Sequence, residues 1–271
     1  MPEKNYYEVF ENTCLTNDVF SLTIKCNEIA EKACSGQFIH IKCGDERLLR
    51  RPISICDVKD GSVKVVFEAK GEGTRWLSKR CRGDRLDILG PLGNGFEFPN
   101  GNIAVIGGGI GVPPMLFAAK STKGMRIVKA AKEAKGHIPP ENTNVTAILG
   151  FRDAARIILK DEFETMCDNV IITTDNGSFG RHGAVTAPLA ELLENGGIDA
   201  VLACGPRAML SAVASMCSQH SVPCQVSLEE RMGCGVGACM VCSCATVVDG
   251  EEHMSRVCKD GPVFDAGIVA W

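Results

Sequence analysis

Asn102-Ile-Ala-Val-Ile-Gly-Gly-Gly-Ile-Gly-Val-Pro-Pro-Met-Leu-Phe-Ala-Ala119 is the stretch on which the fold turns. An apolar run of strand length, Ile103 to Ile106, meets the glycines Gly107, Gly108, Gly109 and Gly111, and an apolar stretch of helical length follows from Pro113. Strand, tight loop and helix in that order open an α/β unit. Further buried-type strands are predicted at Val145–Leu149, Val170–Thr174 and Ala200–Cys204. They alternate with helices around Asp161–Met166, Val185–Leu193 and Pro206–Gln219, which predicts an open parallel sheet. A glycine loop that opens a helix offers free N–H groups to the phosphates of a nicotinamide dinucleotide. The loop departs from the G-x-G-x-x-G pattern, whose third glycine would fall at Val112 or Pro114, so an ordinary dehydrogenase fingerprint is disfavoured.

Upstream the texture differs. Tyr7–Phe10, Val19–Ile24, Phe38–Ile41, Ile53–Ile55, Val63–Phe67 and Leu86–Leu89 read as short strands separated by turn residues, and such spacing predicts a small antiparallel barrel. Arg50-Arg51-Pro52-Ile53-Ser54 places a guanidinium, a proline and a hydroxyl on a strand edge. Gly71-Glu-Gly-Thr74 then leads into a helix start at Arg75-Trp-Leu-Ser-Lys79. A glycine turn before a helix supplies N–H donors and arginine supplies bidentate neutralisation, so the pair suggests a flavin dinucleotide; an ordinary hairpin turn is the alternative for Gly71 and Gly73.

Downstream lies Gly233-Cys-Gly-Val-Gly-Ala-Cys-Met-Val-Cys242, with Cys234, Cys239 and Cys242 in the spacing C-x4-C-x2-C and Cys258 following. One dense triplet and a distant fourth thiol are the ligand pattern of a plant-type [2Fe–2S] cluster. The glycines permit a loop that wraps the cluster and aims N–H groups at its sulfurs. Four cysteines would also suit zinc, although structural zinc sites pair two short knuckles. Cys244 competes with Cys242 as third ligand.

The composition is that of an ordinary globular protein: 271 residues, 45% hydrophobic and 23% charged, with a net charge of −4 that gives no reason to expect nucleic-acid binding. Three segments follow: a barrel over 1–99, an α/β domain over 100–223 and a small iron–sulfur segment over 224–271. No run predicts a membrane span, and fifteen scattered cysteines without an apolar N-terminal signal suggest a reducing cytoplasm. The polar stretch Ser121–Thr143, with Lys123, Arg126, Lys129, Lys132 and Lys135, is expected to extend the first helix and loop back, as a solvated face or a basic docking surface. The five histidines lack any mutual spacing that would make a site, so surface or structural roles are expected.

Arg51-Pro-Ile-Ser54, Gly71-Glu-Gly-Thr74, Gly90-Pro-Leu-Gly-Asn-Gly95, Gly107-Gly-Gly-Ile-Gly-Val-Pro-Pro114 and Cys204-Gly-Pro206 stand in the order of the ferredoxin–NADP reductase superfamily, which the chain resembles along its whole length. With the cysteine loop and Val257-Cys-Lys-Asp-Gly-Pro-Val-Phe264, it is similar to the electron-transfer subunits of dihydroorotate dehydrogenase B. The resemblance implies FAD at Arg51, Pro52, Ile53, Ser54, Gly73 and Thr74, with Val66, Phe67 and Glu68 lining it. It further implies that Cys204, Gly205 and Pro206 approach the nicotinamide, and it favours NAD where Arg152 and Asp153 pull in opposite directions. The implied partner is an FMN-containing dihydroorotate dehydrogenase catalytic subunit, two copies of each chain assembling in pyrimidine biosynthesis. After three modules no residues remain for a (β/α)8 barrel of about 250 residues, so no catalytic residue for dihydroorotate is expected on this chain. Competing readings are the small subunit of an NADH-dependent ferredoxin–NADP oxidoreductase, an oxygenase reductase and a zinc-stabilised binding module.

Overall fold

The alternating segments at the start of the chain close on themselves. In the computed structural model, which describes residues 6–99, 101–124 and 143–271, strands β1 (Tyr6–Cys14), β2 (Val19–Lys25), β3 (Phe38–Ile41), β4 (Arg51–Lys59), β5 (Ser62–Glu68) and β6 (Arg85–Leu92) form a closed barrel in the order β1-β2-β5-β4-β3-β6. All its pairings are antiparallel. Two short helices, α1 (Asn27–Lys32) and α2 (Glu72–Leu77), interrupt the strands. Alternate residues such as Leu22, Ile24, Ile39, Ile41, Val63 and Val65 fill the interior.

The second layer is the expected parallel sheet. It comprises β7 (Ile103–Gly108), β8 (Val145–Phe151), β9 (Asn169–Thr174), β10 (Arg181–His182), β11 (Ala200–Cys204) and β12 (Cys224–Ser227), with helices α3 (Val112–Thr122), α4 (Lys160–Met166), α5 (Thr186–Glu194) and α6 (Arg207–Gln219) between them. A hairpin of β13 (Ser243–Val248) and β14 (Glu251–Arg256) follows, and β15 (Val263–Asp265) returns to the sheet, whose order is β10-β9-β8-β7-β11-β12-β15. The β7 run is apolar throughout because both its faces are covered. Ile103 and Val105 pack with Met115, Leu116 and Phe163, while Ala104 and Ile106 pack with Leu189, Leu210 and Val213 on the other side.

Two details depart from the sequence expectation. Cys224, the expected first residue of the third segment, opens β12, which pairs in parallel with β11; β15 then pairs antiparallel with β12, so the C-terminal segment is sewn into the sheet. The helix at 112 ends at Thr122, and the expected extension through the basic stretch lies in residues 125–142, outside those described.

The layers are locked together. Phe117 of α3 reaches into the barrel core, where truncation of a buried phenylalanine costs about 3–5 kcal/mol. Lys120 of α3 pairs with Asp57 of β4 at 2.5 Å, and Arg156 pairs with Asp18 at 3.0 Å. The Gly90–Gly95 turn clasps the C-terminal segment: Asn94 N–H donates to the Gly261 carbonyl at 2.6 Å, and its side-chain amide donates to the carbonyls of Asp260 at 3.0 Å and Lys259 at 3.3 Å.

Candidate functional site

Three constellations line up across these layers, and the cysteine loop is the most sharply built. The Cys234 sulfur accepts from the N–H groups of Ala238 at 3.2 Å and Val236 at 3.4 Å, and the Cys239 sulfur accepts from Cys234 N–H at 3.4 Å. The Cys258 sulfur accepts from Gly237 N–H at 3.1 Å, and the Cys242 sulfur accepts from Cys258 N–H at 3.4 Å. Backbone donors therefore serve all four candidate ligands. They hold the Cys234 thiol down at about 6, the Val236 N–H being the main cause. Gly235 and Gly237 have φ of +73° and +80°, which glycine adopts without strain.

The thiols stand as two pairs, Cys234 with Cys239 and Cys242 with Cys258, each linked side chain to side chain. Among the described residues no three His, Cys, Asp or Glu side chains gather tightly enough to share a single ion. Two thiolate pairs suit a two-iron cluster better than one tetrahedral ion, and an all-sulfur donor set with N–H groups aimed at it fits the [2Fe–2S] group. Cys244 lies on β13, buried in an apolar core that raises its thiol pKa. Its sulfur takes a backbone N–H from Cys244 itself, whereas each of the four candidate ligands takes one from another residue of the cluster segment, which sets it apart from Cys242.

The flavin-type residues meet at the barrel wall. Arg51–Ser54 pair with β3 on one side, and pairing with β5 begins only at Ile55, so this stretch keeps the strand edge expected of it. Its guanidinium lies against Gly73: a Cβ added there would come within 2.5 Å of Arg51 Nε and 2.9 Å of Cζ. Thr74 Oγ1 accepts from Gly71 N–H at 3.1 Å and donates to the Gly71 carbonyl at 3.2 Å, which folds the glycine turn onto α2. Arginine beside a side-chain-free helix start makes a cradle suited to a pyrophosphate. Val66 and Phe67 are buried, with Phe67 stacked on Phe20, so they can meet a ligand only through their backbone; Glu68 remains half-buried and pairs with Lys70 at 2.7 Å.

At the carboxyl ends of β7 and β11 the two nucleotide loops touch. Gly107 lies opposite Cys204 in register. A Cβ at Gly111 would run into the Cys204 carbonyl oxygen, and one at Gly205 would meet Gly108 N at 3.1 Å, so the loops pack backbone on backbone. Gly109, with φ of +54°, faces open space. The first turn of α3 offers little to a phosphate, because Val112 N–H is given to the Gly109 carbonyl and Pro113 and Pro114 carry no N–H, so the donors for a phosphate lie in the glycine loop before the helix. Burial pushes the Cys204 thiol up to about 12, and it pairs with Ser227, so the strand end presents a neutral group. Asp153 spends a carboxylate oxygen on Ala155 N–H at 3.0 Å as a cap. Trp271 docks the terminus, its Nε1 donating to the Ala266 carbonyl at 3.1 Å beneath Arg207.

One residue was missed in the sequence. His40 of β3 is fully buried between the barrel and the cysteine loop, and burial together with nearby Arg50 pushes its imidazole down to about 4.

Comparison with known proteins agrees with this geometry. A family model described as the iron–sulfur cluster binding domain of dihydroorotate dehydrogenase B matches residues 229–270. The electron transfer subunit of dihydroorotate dehydrogenase B (NAD(+)) of Caldanaerobacter subterraneus subsp. tengcongensis is 36% identical over 94% of this chain and 94% of its own. That of Clostridium perfringens is 39% identical over 95% and 94%. Among solved structures, the NADH-dependent reduced ferredoxin-NADP oxidoreductase matches at a TM-score of 0.81 and 32% identity, covering 98% of this chain and 90% of that one. The cytochrome b5 reductase domain of Ulva prolifera nitrate reductase, at 0.62 and 16% over 80% of this chain and 93% of that one, shares the fold.

Proposed function

The chain belongs to the family of NAD-dependent dihydroorotate dehydrogenase B electron-transfer subunits, and from that premise we propose how its residues divide the work. When bound, NAD exchanges hydride, the [2Fe–2S] cluster carries single electrons, and FAD handles both, so electrons pass from a catalytic partner to NAD. Cys234, Cys239, Cys242 and Cys258 hold the cluster. Arg51, Gly73 and Thr74 bind and orient the FAD pyrophosphate, and Pro52, Ile53, Ser54 and the β5 backbone at Val66–Glu68 shape the flavin's bed. Gly107, Gly108, Gly109 and Gly111 bring backbone N–H groups to the NAD phosphates, and Cys204, Gly205 and Pro206 close against them without offering a charged group to the nicotinamide. No residue here needs to act as a general base. The dihydroorotate chemistry falls to the partner.

The observation that carries this reading is the set of five N–H···S contacts that serve the four cysteines, on a loop whose Gly235 lies against His40, the register partner of Pro52. Val236, Met240 and Val241 at the loop tip are exposed, an apolar rim for a partner that must come close to the cluster. We place the FMN-bearing catalytic subunit there, two copies of each chain assembling in the cytoplasm. No helix of the described residues is long and apolar enough to cross a membrane.

Purification of the native complex tests this. An FMN subunit should co-purify in equal amount, and dihydroorotate:NAD activity should require both chains. A different large subunit without that activity would favour the oxidoreductase whose structure matches at 32% identity.

A further inference from the structure

Period-two alternation along β3 sends Ile39 and Ile41 into the barrel and Phe38 and His40 outward. Outward is not solvent here. Phe38 joins the core that holds Cys242, Cys258 and Val257, and the His40 ring stands edge-on to Phe38 with centroids 6.4 Å apart. His40 is 0% exposed. Its register partner on β4 is Pro52, the neighbour of Arg51, and on its other side is Gly235, the neighbour of Cys234. One side chain therefore spans from the flavin strand to the cluster loop.

The fit on the loop side is close. A Cβ at Gly235 would fall 2.5 Å from His40 Nδ1 and 3.0 Å from Cε1, so the loop approaches the ring only because position 235 has no side chain. Neither ring nitrogen makes a hydrogen bond of good geometry, although the backbones of Arg50 and Cys234 lie within reach. A buried polar group without a partner is costly, and leucine would fill similar space without that cost. The polar ring calls for a reason, and the cluster loop is what it faces.

We propose that His40 is a positioning residue for electron transfer, setting the cluster loop against the flavin strand and steadying, through the Cys234 backbone within its reach, the N–H groups that the loop aims at the cluster sulfurs. The proposal rests on the cluster assignment above. An N–H dipole near an iron–sulfur centre stabilises the more negative, reduced form, and hydrogen bonding and burial set the potentials of such centres. Without the His40 ring the loop's N–H groups lose their fixed aim, and slackening one such donor is expected to shift the reduction equilibrium about tenfold, which is about 59 mV for a one-electron couple.

The test uses the full-length holoprotein as His40→Leu, which keeps bulk and removes N–H, and His40→Asn, which restores an N–H. FAD and iron contents are measured, and the cluster potential is read by potentiometry with EPR detection. Expected are unchanged FAD, a potential lowered about tenfold in equilibrium terms in H40L, and recovery of most of that shift in H40N. Loss of the cluster in H40L with retention in H40N also supports a need for the donor. An unchanged potential in a fully loaded H40L, an equal shift in both variants, or cluster loss in both would overturn the proposal and leave the ring as packing. A wild-type protein without iron and sulfide would instead defeat the cluster assignment itself.

Discussion

Gly73→Ala separates the flavin site from the fold that carries it. The added Cβ would sit 2.5 Å from Arg51 Nε and 2.9 Å from Cζ, against an ordinary contact of at least 3.4 Å, so the guanidinium must retreat by roughly 1 Å. Arg51 is otherwise held by the Leu49 carbonyl at 2.5 Å, which limits where it can go. A hydrogen bond to a charged group is worth about 1.5–3 kcal/mol, and each 1.4 kcal/mol is tenfold in affinity, so FAD binding should weaken roughly 10- to 100-fold. The fold should not suffer. Gly73 lies within α2 and is not among the glycines of positive φ, so alanine there gains up to about 1 kcal/mol of helix propensity. The assay is FAD fluorescence titration of the flavin-free protein beside its thermal unfolding. Weaker binding with an equal or higher Tm is expected. Affinity within twofold of wild type, or a fall in Tm that matches the loss of FAD, would refute the placement of Arg51 at the pyrophosphate.

Two further outcomes follow from the geometry. Cys244→Ser should retain both FAD and iron, because the Cys244 sulfur is buried in the apolar core and takes none of the N–H groups with which the loop serves the four ligands; iron analysis checks this, and loss of the cluster would reassign the third ligand. Asp168 is partly desolvated, which raises its carboxyl, but Lys123 and the Val145 N–H outweigh that and hold it below its ordinary 3.8. A carboxyl depressed in the folded state contributes stability that is present above the unfolded value and lost as pH falls through the folded one. The stability gap between wild type and Asp168→Asn, read by urea unfolding, should therefore hold at pH 5–7 and shrink below about 3.8. A gap unchanged at pH 3 would contradict the pairing.

Much of this architecture was legible because its signals are local. The β7 run, its glycine loop and α3 switch from strand to helix within eighteen residues, and the cysteine spacing carries the shape of its ligand within nine. What stayed hidden depends on long-range packing. Cys224–Ser227 read as the start of a new segment because a four-residue strand has too little periodicity to declare its sheet, and β15 is placed by pairing with a strand 36 residues earlier. His40 was hidden for a related reason. A polar residue alternating with isoleucines reads as solvent-facing, and only the folded chain shows that the cysteine loop covers that face of the barrel. Val66 and Phe67 were expected to line the flavin, and their buried side chains leave only backbone for that role.

The central claim is that one chain joins an NAD site, a flavin and a two-iron cluster in electronic contact. Anaerobic NADH titration of the purified protein, followed by visible absorption and EPR, tests it most directly. Bleaching of the flavin should be accompanied by a reduced-cluster EPR signal. In Cys258→Ser that signal should vanish while NADH still bleaches the flavin. A colourless protein with stoichiometric zinc, or a flavin that NADH reduces without any cluster signal in the wild type, would contradict the account.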